Sequence, residues 1–198
     1  MGGTFDPIHV GHVLLALAAM ERLPLDRVLF VPAADPPHKD GRTGMAPAAD
    51  RCAMVELAIA GFPGFALSRL ELERPGKSYT VDTLRQLRDA WPGWDLVLII
   101  GDDNVAQLPS WYDPHGILSL CTVVAGSRIA ADPERHGPLA GQVRFLDTPV
   151  HQISSTAIRL RLRHGQTVRY LVPDPVLEYM RARGLYSAGP APAMAPAS

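Results

Sequence analysis

The sequence predicts an α/β fold in which helices cover both faces of a doubly wound, mostly parallel sheet. Apolar segments of strand length alternate with segments of helical periodicity along the chain, without an internal repeat, and this alternation is typical of right-handed βαβ units. The segment 95–100 is almost wholly apolar, as expected of a strand that is covered on both faces. Unusual polar segments follow three of the predicted strands, and in an open parallel sheet such positions lie at one edge, where ligands bind.

The first half of the chain begins with a glycine-bearing segment and then alternates helix with strand. Apolar residues at helical spacing predict the helices, and β-branched, aromatic or alternating runs predict the strands. In order, the predicted elements are a helix over 10–23, a buried strand over 27–31, a proline-rich loop over 32–47, a helix over 48–60, a strand with one wetter face over 65–72 and a helix over 78–91.

The second half continues this alternation up to a tail rich in proline and alanine. After the buried strand at 95–100, the predicted elements are a helix near 114–120, strands at 122–125 and 143–146, and helices over 154–164 and 173–183. A chain of 198 residues corresponds to roughly one domain. We therefore predict one domain over 1–186, with a helical C-terminal part over about 154–186, and a disordered tail over 187–198.

Composition and charge exclude several classes of protein. With 47% hydrophobic and 20% charged residues, the chain is typical of a globular protein. Its 19 basic and 20 acidic residues leave a formal net charge of -1, so we expect no non-specific binding of nucleic acid or of a membrane surface. No apolar run is long enough to span a membrane, no signal peptide is recognisable, and Cys52 and Cys121 lack zinc-ligand spacing. These features predict a cytoplasmic protein.

The first polar segment covers residues 2–12 and reads GGTFDPIHVGH. A flexible glycine turn enters the start of a helix there, so backbone N–H groups and the positive helix end can face an anion. His9 and His12 share a helical face, where both imidazoles could donate hydrogen bonds to phosphate, and Gly11 would let a ligand approach the backbone. Such a pair is also common on a surface helix or in a capped core. Zinc is a further alternative, but no third ligand stands at a fixed spacing.

The second polar segment covers residues 153–159 and reads ISSTAIR. Two serines and a threonine open a predicted helix, as N-cap residues do, and capping alone would explain them. Ser155 and Arg159 lie on one helical face, so a hydroxyl, free helix N–H groups and a guanidinium could converge on one phosphate chain. Arg161 lies about 200° away around the helix and is predicted to be a solvated charge.

Three further segments carry polar or aromatic side chains near predicted strand ends. The stiff proline loop ends at Lys39, in a chain whose basic residues are almost all arginine. Asp102 and Asp103 could bind a ribose hydroxyl, help to hold a metal ion or cap the next helix. Trp111 and Tyr112 could present an aromatic face to a heterocycle or pack in the core. Neither a Walker A loop nor a Gly-x-Gly-x-x-Gly fingerprint is present.

Together these segments resemble the nucleotidyltransferase superfamily, whose pattern is Gly-x-Thr-Phe-Asp-x-x-His-x-Gly-His at the start and Ile-Ser-Ser-Thr-x-x-Arg at the end. Within it, the sequence looks most like the bacterial nicotinate mononucleotide adenylyltransferases, which implies a Rossmann-like nucleotidyltransferase fold. The motifs that carry the resemblance, in chain order, are 2–12, PPHK at 36–39, SYTVDTL at 78–84, IIGDD at 99–103, Trp111 and 153–159.

The resemblance implies transfer of AMP from ATP to nicotinate mononucleotide, which gives the dinucleotide and pyrophosphate in NAD biosynthesis. Mg²⁺ is the implied cofactor, with no metal ligand assigned to the chain, and a homo-oligomer is compatible with the family. The implied catalytic residues are His9, His12 and Arg159. The implied ATP-binding residues are Gly2, Gly3, Thr4, Phe5, His9, His12, Gly101, Asp103, Ser154, Ser155, Thr156 and Arg159. The implied nicotinate mononucleotide-binding residues are Lys39, Thr80, Asp103, Trp111 and Tyr112.

Two departures from the family pattern stand beside three alternative functions. The family has a central strand before the glycine loop, and we predict that this first strand is missing here because the start codon is assigned too late. Asp102 stands where relatives usually have a small residue, so its charge could alter nucleotide or metal contacts. The alternatives are an adenylyltransferase with another phosphate acceptor, a nucleotide-binding module without turnover, and a class I aminoacyl-tRNA synthetase. The last would need a longer chain and a second, lysine-rich motif.

Overall fold

The computed structural model describes residues 1–36, 44–127, 132–148 and 153–187. The strands in these ranges are β1 (Gly2–Gly3), β2 (Val28–Pro32), β3 (Phe65–Leu67), β4 (Val97–Gly101), β5 (Thr122–Ser127) and β6 (Val143–Asp147). The α-helices are α1 (Val10–Arg22), α2 (Ala48–Ile59), α3 (Thr80–Ala90), α4 (Asp102–Val105), α5 (Pro114–Leu120), α6 (Pro133–His136), α7 (Ser155–Arg163) and α8 (Asp174–Ala182). Short 3₁₀ turns lie at Leu108–Ser110 and Ala140–Gln142. Within the same ranges, no helix is long and apolar enough to cross a membrane.

The described strands pair in parallel, as two three-stranded sheets with the orders β1-β2-β3 and β4-β5-β6. β1 lies beside β4, so the strands follow the order β3-β2-β1-β4-β5-β6 across one layer. The winding reverses between β1 and β4, and in doubly wound folds this reversal opens a crevice at the carboxyl ends of the strands. The crevice is therefore expected where β1 and β4 end.

Helices cover both faces of this layer. Ile99, Val124 and Leu146 belong to one hydrophobic core, together with residues of α1, α2 and α8. The neighbouring residues Leu98 and Val123 belong to a second core with α3 and α5. Because successive side chains of a strand point to opposite faces, β4 is buried on both sides, which confirms the prediction from its apolar sequence.

Most of the predicted elements are confirmed, with ends that differ by two residues or fewer. The strand predicted over 65–72 is an exception, because only Phe65–Leu67 is extended. The chain then turns, and the N–H groups of Leu72 and Glu73 both donate to the carbonyl of Arg69. The alternating pattern beyond β3 thus reflects a turn and not a longer strand. The short helices α4 and α6 were not predicted, and the predicted tail lies, apart from Ser187, outside the described residues.

The prediction that the first strand is missing is wrong, since Gly2–Gly3 forms a two-residue strand, β1. The Val31 N–H donates to the Met1 carbonyl at 3.0 Å, and the Ala33 N–H donates to the Gly3 carbonyl at 2.9 Å. Glycine has a low strand propensity, so no side-chain pattern marks these residues, and their strand character comes from pairing with β2. This pairing directs the following residues toward the crevice.

Candidate active site

The loop after β1 carries the first polar motif. Phe5 has a left-handed backbone, with φ 50, and its buried ring lies edge-on to the ring of His12 with 5.1 Å between centroids. A Cβ on Gly3 would lie only 3.1 Å from Phe5 Cζ, so the absence of a side chain at Gly3 leaves room for this ring. The Thr4 carbonyl accepts a hydrogen bond of 2.7 Å from Arg51 Nη1. These contacts fix the conformation of the loop, and the Phe5 ring packs against His12.

His9 and His12 form a stacked pair at the start of α1. Their ring centroids are 3.6 Å apart with an interplanar angle of 22°. The His9 backbone N–H donates to His12 Nδ1 at 3.2 Å, so a neutral His12 carries its proton on Nε2. His9 Nδ1 is buried and has no hydrogen-bond partner among the described residues. The predicted shared face of the pair is therefore confirmed, and the pair is neither a surface feature nor fully satisfied by the protein.

Burial keeps both histidines neutral. Desolvation lowers the pKa of His9 to about 4. Desolvation and, second, the proximity of His9 hold the pKa of His12 well below its usual range. At neutral pH the pair thus presents N–H donors without positive charge.

This shift predicts an acid-sensitive fold. The pKa of His9 is 6.5 when unperturbed and about 4 in the folded chain, so between these values the unfolded state binds more protons and the free energy of unfolding falls as the pH falls. We expect a smaller fall in a His9→Gln variant when urea unfolding is compared at about pH 7 and about pH 5. An equal loss in both proteins would contradict this origin of the pH dependence.

Gly11 has a different role from the one predicted. A Cβ at this position would lie 3.0 Å from His9 Nδ1 and 3.2 Å from His9 Cε1. The space above Gly11 is therefore filled by the His9 imidazole, not left for a ligand. The reason is the close stacking of His9 on His12, which brings the His9 ring back over the first turn of α1.

The second polar motif docks directly on the first. Ser154 is the N-cap of α7 and its Oγ accepts from the Ala157 N–H at 3.1 Å, which confirms the capping interpretation for this serine. Ser155 Oγ donates to the Pro7 carbonyl at 2.9 Å. Arg159 Nη1 donates to the Asp6 carbonyl at 2.7 Å. Residues about 150 positions apart in the sequence thus meet at the crevice.

Arg159 is held by groups on both sides of its guanidinium. Its Nη1 lies 3.4 Å from Asp6 Oδ2, and its Nη2 donates to Thr156 Oγ1 at 3.3 Å. The side chain keeps 17% of its surface exposed, so the charge remains accessible to an anion. Arg161 instead donates to the Thr167 carbonyl at 3.0 Å, which confirms that Arg161 faces away from this site.

A second cluster surrounds the start of α3. Ser78 Oγ accepts from the backbone N–H groups of Ala34 and Asp35 at 2.9 and 3.2 Å, which ties the approach to α3 to the end of β2. Thr80 is the first residue of α3. The ring of the preceding residue, Tyr79, lies 4.5 Å from that of Tyr112. Sequence reasoning did not single out Tyr79, although it stands inside the SYT motif.

Trp111 and Tyr112 were predicted either to pack in the core or to present an aromatic face to a heterocycle, and the structure separates them. Trp111 is half-buried and packs against the second core, as core packing would require. Tyr112 is 58% exposed, so it offers an aromatic face to solvent. Asp113, which follows, is the N-cap of α5 with φ 51 and accepts from the Gly116 N–H. The turn that carries Tyr112 is thereby fixed.

Asp102 and Asp103 have separate roles. Gly101 is the N-cap of α4 and the two aspartates form its first turn, so neither caps by its side chain. Asp103 is exposed, and its Oδ1 accepts from Asn104 Nδ2 at 3.1 Å. Asp102 Oδ2 lies 2.7 Å from Arg135 Nη2, and Asp102 Oδ1 lies 2.9 Å from His136 Nε2. The carboxylate of Asp102 thus contacts two side chains of α6.

Two further expectations concern the role of Lys39 and the presence of residues that could hold a metal ion. Lys39 lies in 37–43, outside the described residues. Among the described residues, no group of three or more His, Cys, Asp or Glu side chains could hold a metal ion. The described part of the site therefore offers hydrogen-bond donors and a guanidinium, and no cage of carboxylates.

Sequence reasoning missed three polar residues behind the site, of which Asp6 and Arg51 are buried and Tyr186 is partly buried. Asp6 and Arg51 are 3% and 1% exposed, and Tyr186 donates to Asp6 Oδ1 at 2.7 Å. Asp6 stands within the first motif, and Arg51 interrupts the apolar face of a predicted helix, so both carried a signal. Tyr186 carried none.

Comparisons with known proteins identify the family of the chain. Cytidylyltransferase-like proteins match residues 1–161 as a family. A protein of Thermus thermophilus is 48% identical over 185 residues, which are 93% of this chain and 96% of that protein. A protein of Corynebacterium kroppenstedtii is 44% identical over 188 residues, which are 94% of this chain and 89% of that protein. Both bear the name "Probable nicotinate-nucleotide adenylyltransferase".

Solved structures show the same fold. The nicotinic acid mononucleotide adenylyltransferase of Plasmodium falciparum complexed with NaAD has a TM-score of 0.75 at 17% identity and covers 93% of this chain and 94% of its own. The complex of that enzyme with APC has a TM-score of 0.74 at 16% identity, with the same coverage. From the curated relatives and the family match, the chain belongs to the nicotinate-nucleotide adenylyltransferases within the cytidylyltransferase-like family.

Proposed function

We propose that the protein transfers the adenylyl group of ATP to the 5′-phosphate of nicotinate mononucleotide, a step of NAD biosynthesis. The observation that carries the proposal is the contact between the two polar motifs. The stacked pair of His9 and His12 and the guanidinium of Arg159 are brought to one loop by hydrogen bonds to the carbonyls of Asp6 and Pro7. This arrangement suits a chain of phosphates that passes from the histidines to the start of α7.

The chemistry needs alignment more than proton transfer. An oxygen of the acceptor phosphate forms a bond to the α-phosphorus, the bond from that phosphorus to the bridging oxygen breaks, and the electron pair leaves with pyrophosphate. The second pKa of a phosphomonoester is about 6, so the attacking phosphate is largely a dianion at neutral pH. A general base is therefore unnecessary, and the side chains act by orienting the phosphates and stabilising their charge.

We assign these tasks to residues of the two motifs. His12 offers its Nε2–H, because its Nδ1 already accepts from the His9 N–H. Ser155 and Thr156 lie at the start of α7, and Arg159 lies about one turn further along. The positive helix end and the guanidinium together favour the β- and γ-phosphates. Ser154 remains with its own helix as N-cap, so its contribution to ATP is to hold that helix end.

Mg²⁺ is expected to arrive with ATP. This ion prefers oxygen ligands and is commonly held by substrate phosphates, several waters and one or two carboxylates. The donor set near the site fits that mode, because the exposed Asp103 stands at the carboxyl end of β4 and could supply one carboxylate. When bound, the ion would neutralise phosphate charge.

The cluster around α3 is our candidate for the nicotinate half. Thr80 opens α3, Trp111 and Tyr112 stand on the facing turn, and Tyr79 packs on Tyr112. These residues combine a hydroxyl, backbone N–H groups and flat rings, which suit an aromatic carboxylate. The expected contributions of Lys39 and Asp103, a homo-oligomer and a cytoplasmic location stay predictions.

The test is pyrophosphate release from Mg-ATP with nicotinate mononucleotide, nicotinamide mononucleotide and phosphopantetheine as separate acceptors. We expect the highest kcat/KM with the first. Turnover with another acceptor alone would keep the chemistry and overturn the substrate. No turnover with any of them, in protein shown to be folded by circular dichroism, would favour a nucleotide-binding module without turnover.

A further inference from the structure

Asp6 is a buried carboxylate at the junction of four chain segments. It is 3% exposed. Its Oδ1 accepts from the Ala46 N–H at 3.0 Å and from Tyr186 Oη at 2.7 Å. On its other side, Arg159 Nη1 lies 3.4 Å from Oδ2 and donates to the Asp6 carbonyl. Oδ1 therefore accepts two hydrogen bonds, and Oδ2 faces the guanidinium of Arg159.

The position of Tyr186 follows from the way α8 ends. The Leu185 N–H donates to the Met180 carbonyl at 2.9 Å, and the Gly184 N–H donates to the Arg181 carbonyl at 3.1 Å. This pair of bonds, with Gly184 at φ 61, is a Schellman motif, which reverses the chain after a helix. The reversal directs Tyr186 back under the first polar motif, where its ring packs against the first core.

The carboxylate of Asp6 and an anion in the crevice both attract the guanidinium of Arg159. A buried carboxylate needs hydrogen bonds or an opposite charge, and Arg159 is the guanidinium that faces both Asp6 and the crevice. The hydroxyl of Tyr186 satisfies Oδ1 and so holds the carboxylate in one orientation. Burial, and then the hydrogen bond to Asp6, raise the pKa of Tyr186, so this hydroxyl stays a donor at neutral pH.

We propose that Tyr186 is a positioning residue, which orients Asp6 and thereby keeps the guanidinium of Arg159 directed toward the phosphates of ATP. This inference deepens the proposed function and rests on it. It assigns a role in the ATP site to a residue beyond positions 1–161, the part of the chain that the family match covers.

The chain offers a matched control for this role. Tyr179 Oη donates to Asp50 Oδ1 at 2.7 Å, the same length as the bond from Tyr186 to Asp6. Asp50 is also buried and also faces an arginine, since Arg183 Nε lies 3.1 Å from its Oδ1. Among the described residues, the hydrogen bonds of this second pair join α8 to α2 and involve neither polar motif. Replacing either tyrosine by phenylalanine removes one equivalent hydrogen bond and keeps the ring.

The experiment compares Tyr186→Phe with Tyr179→Phe in the full chain. Calorimetric titration with Mg-ATP in the absence of acceptor should give a Kd about 3- to 10-fold higher for Tyr186→Phe, the size of one lost hydrogen bond, and an unchanged Kd for Tyr179→Phe. Both variants should show similar decreases in the thermal midpoint. In steady-state assays, Tyr186→Phe should raise the KM for ATP and leave the KM for nicotinate mononucleotide unchanged.

A double-mutant cycle separates positioning from general destabilisation. If Tyr186 acts through Arg159, then Tyr186→Phe adds no further loss of ATP affinity to Arg159→Ala. Equal effects of the two tyrosine variants on ATP binding, or additive effects in the cycle, would overturn the inference. Normal ATP binding by the parent without turnover of nicotinate mononucleotide would instead reject the proposed function, while the binding comparison would still decide the role of Tyr186.

Discussion

Replacing Arg159 by alanine is expected to lower kcat/KM by about 10²-fold or more, because the variant loses a cation that faces the developing charge of the leaving pyrophosphate. Arg159 is suited to this task since it is held at both ends of its guanidinium, by the Asp6 carbonyl and by Thr156 Oγ1, and still keeps part of its surface exposed. Steady-state kinetics with ATP and nicotinate mononucleotide measures the loss.

The control for this prediction lies two residues further along the same helix. Arg161→Ala removes the same charge from the protein, but Arg161 donates to the Thr167 carbonyl and faces away, so we expect kinetics close to those of the parent. Arg159→Lys should recover only part of the rate, because an ammonium cannot reproduce the two-sided contacts of a guanidinium. Similar losses from Arg159→Ala and Arg161→Ala would show that net charge, and not position, matters.

His12→Ala is expected to lower the rate by about 10²-fold, which is the usual effect of losing one donor that stabilises transition-state charge. The structure supports this role because His12 Nδ1 is occupied by the His9 N–H, which leaves Nε2–H as the donor of a neutral ring. The low pKa of His12, caused by burial and by His9, means that no deprotonation is needed near neutral pH.

The measurement for His12 is kcat at saturating ATP and nicotinate mononucleotide, with His164→Ala as the control. His164 is exposed at the end of α7, so its replacement should leave kcat unchanged. A His12→Ala variant that remains folded by circular dichroism and has the kinetics of the parent would remove His12 from the mechanism. A loss confined to KM would assign His12 to ground-state binding of ATP.

Much of the site was predictable because its signals are local. The shared face of His9 and His12, and of Ser155 and Arg159, follows from helical spacing. Ser154 followed from the preference for serine at an N-cap. In contrast, the role of Gly11 was predicted wrongly, because the sequence does not reveal that the His9 ring folds back over it.

Asp102 illustrates a further reason for incomplete prediction. Its carboxylate contacts Arg135 and His136, which belong to a four-residue helix that periodicity cannot detect. The strand predicted over 65–72 ended early for a similar reason, since the carbonyl of Arg69 accepts bonds within a turn. Short elements depend on nearby backbone groups more than on a repeated side-chain pattern.

By itself, the sequence determined the alternation of strands and helices, the burial of β4 on both faces and the presence of two polar motifs at helix starts. These properties depend on periodicity and capping within a few residues. Only the tertiary structure decided that Gly2–Gly3 is a strand, that Arg159 meets Asp6, and that Tyr186 does so as well. Such contacts join residues far apart in the chain, and they are set by how the sheet and its helices pack together, which no local pattern encodes.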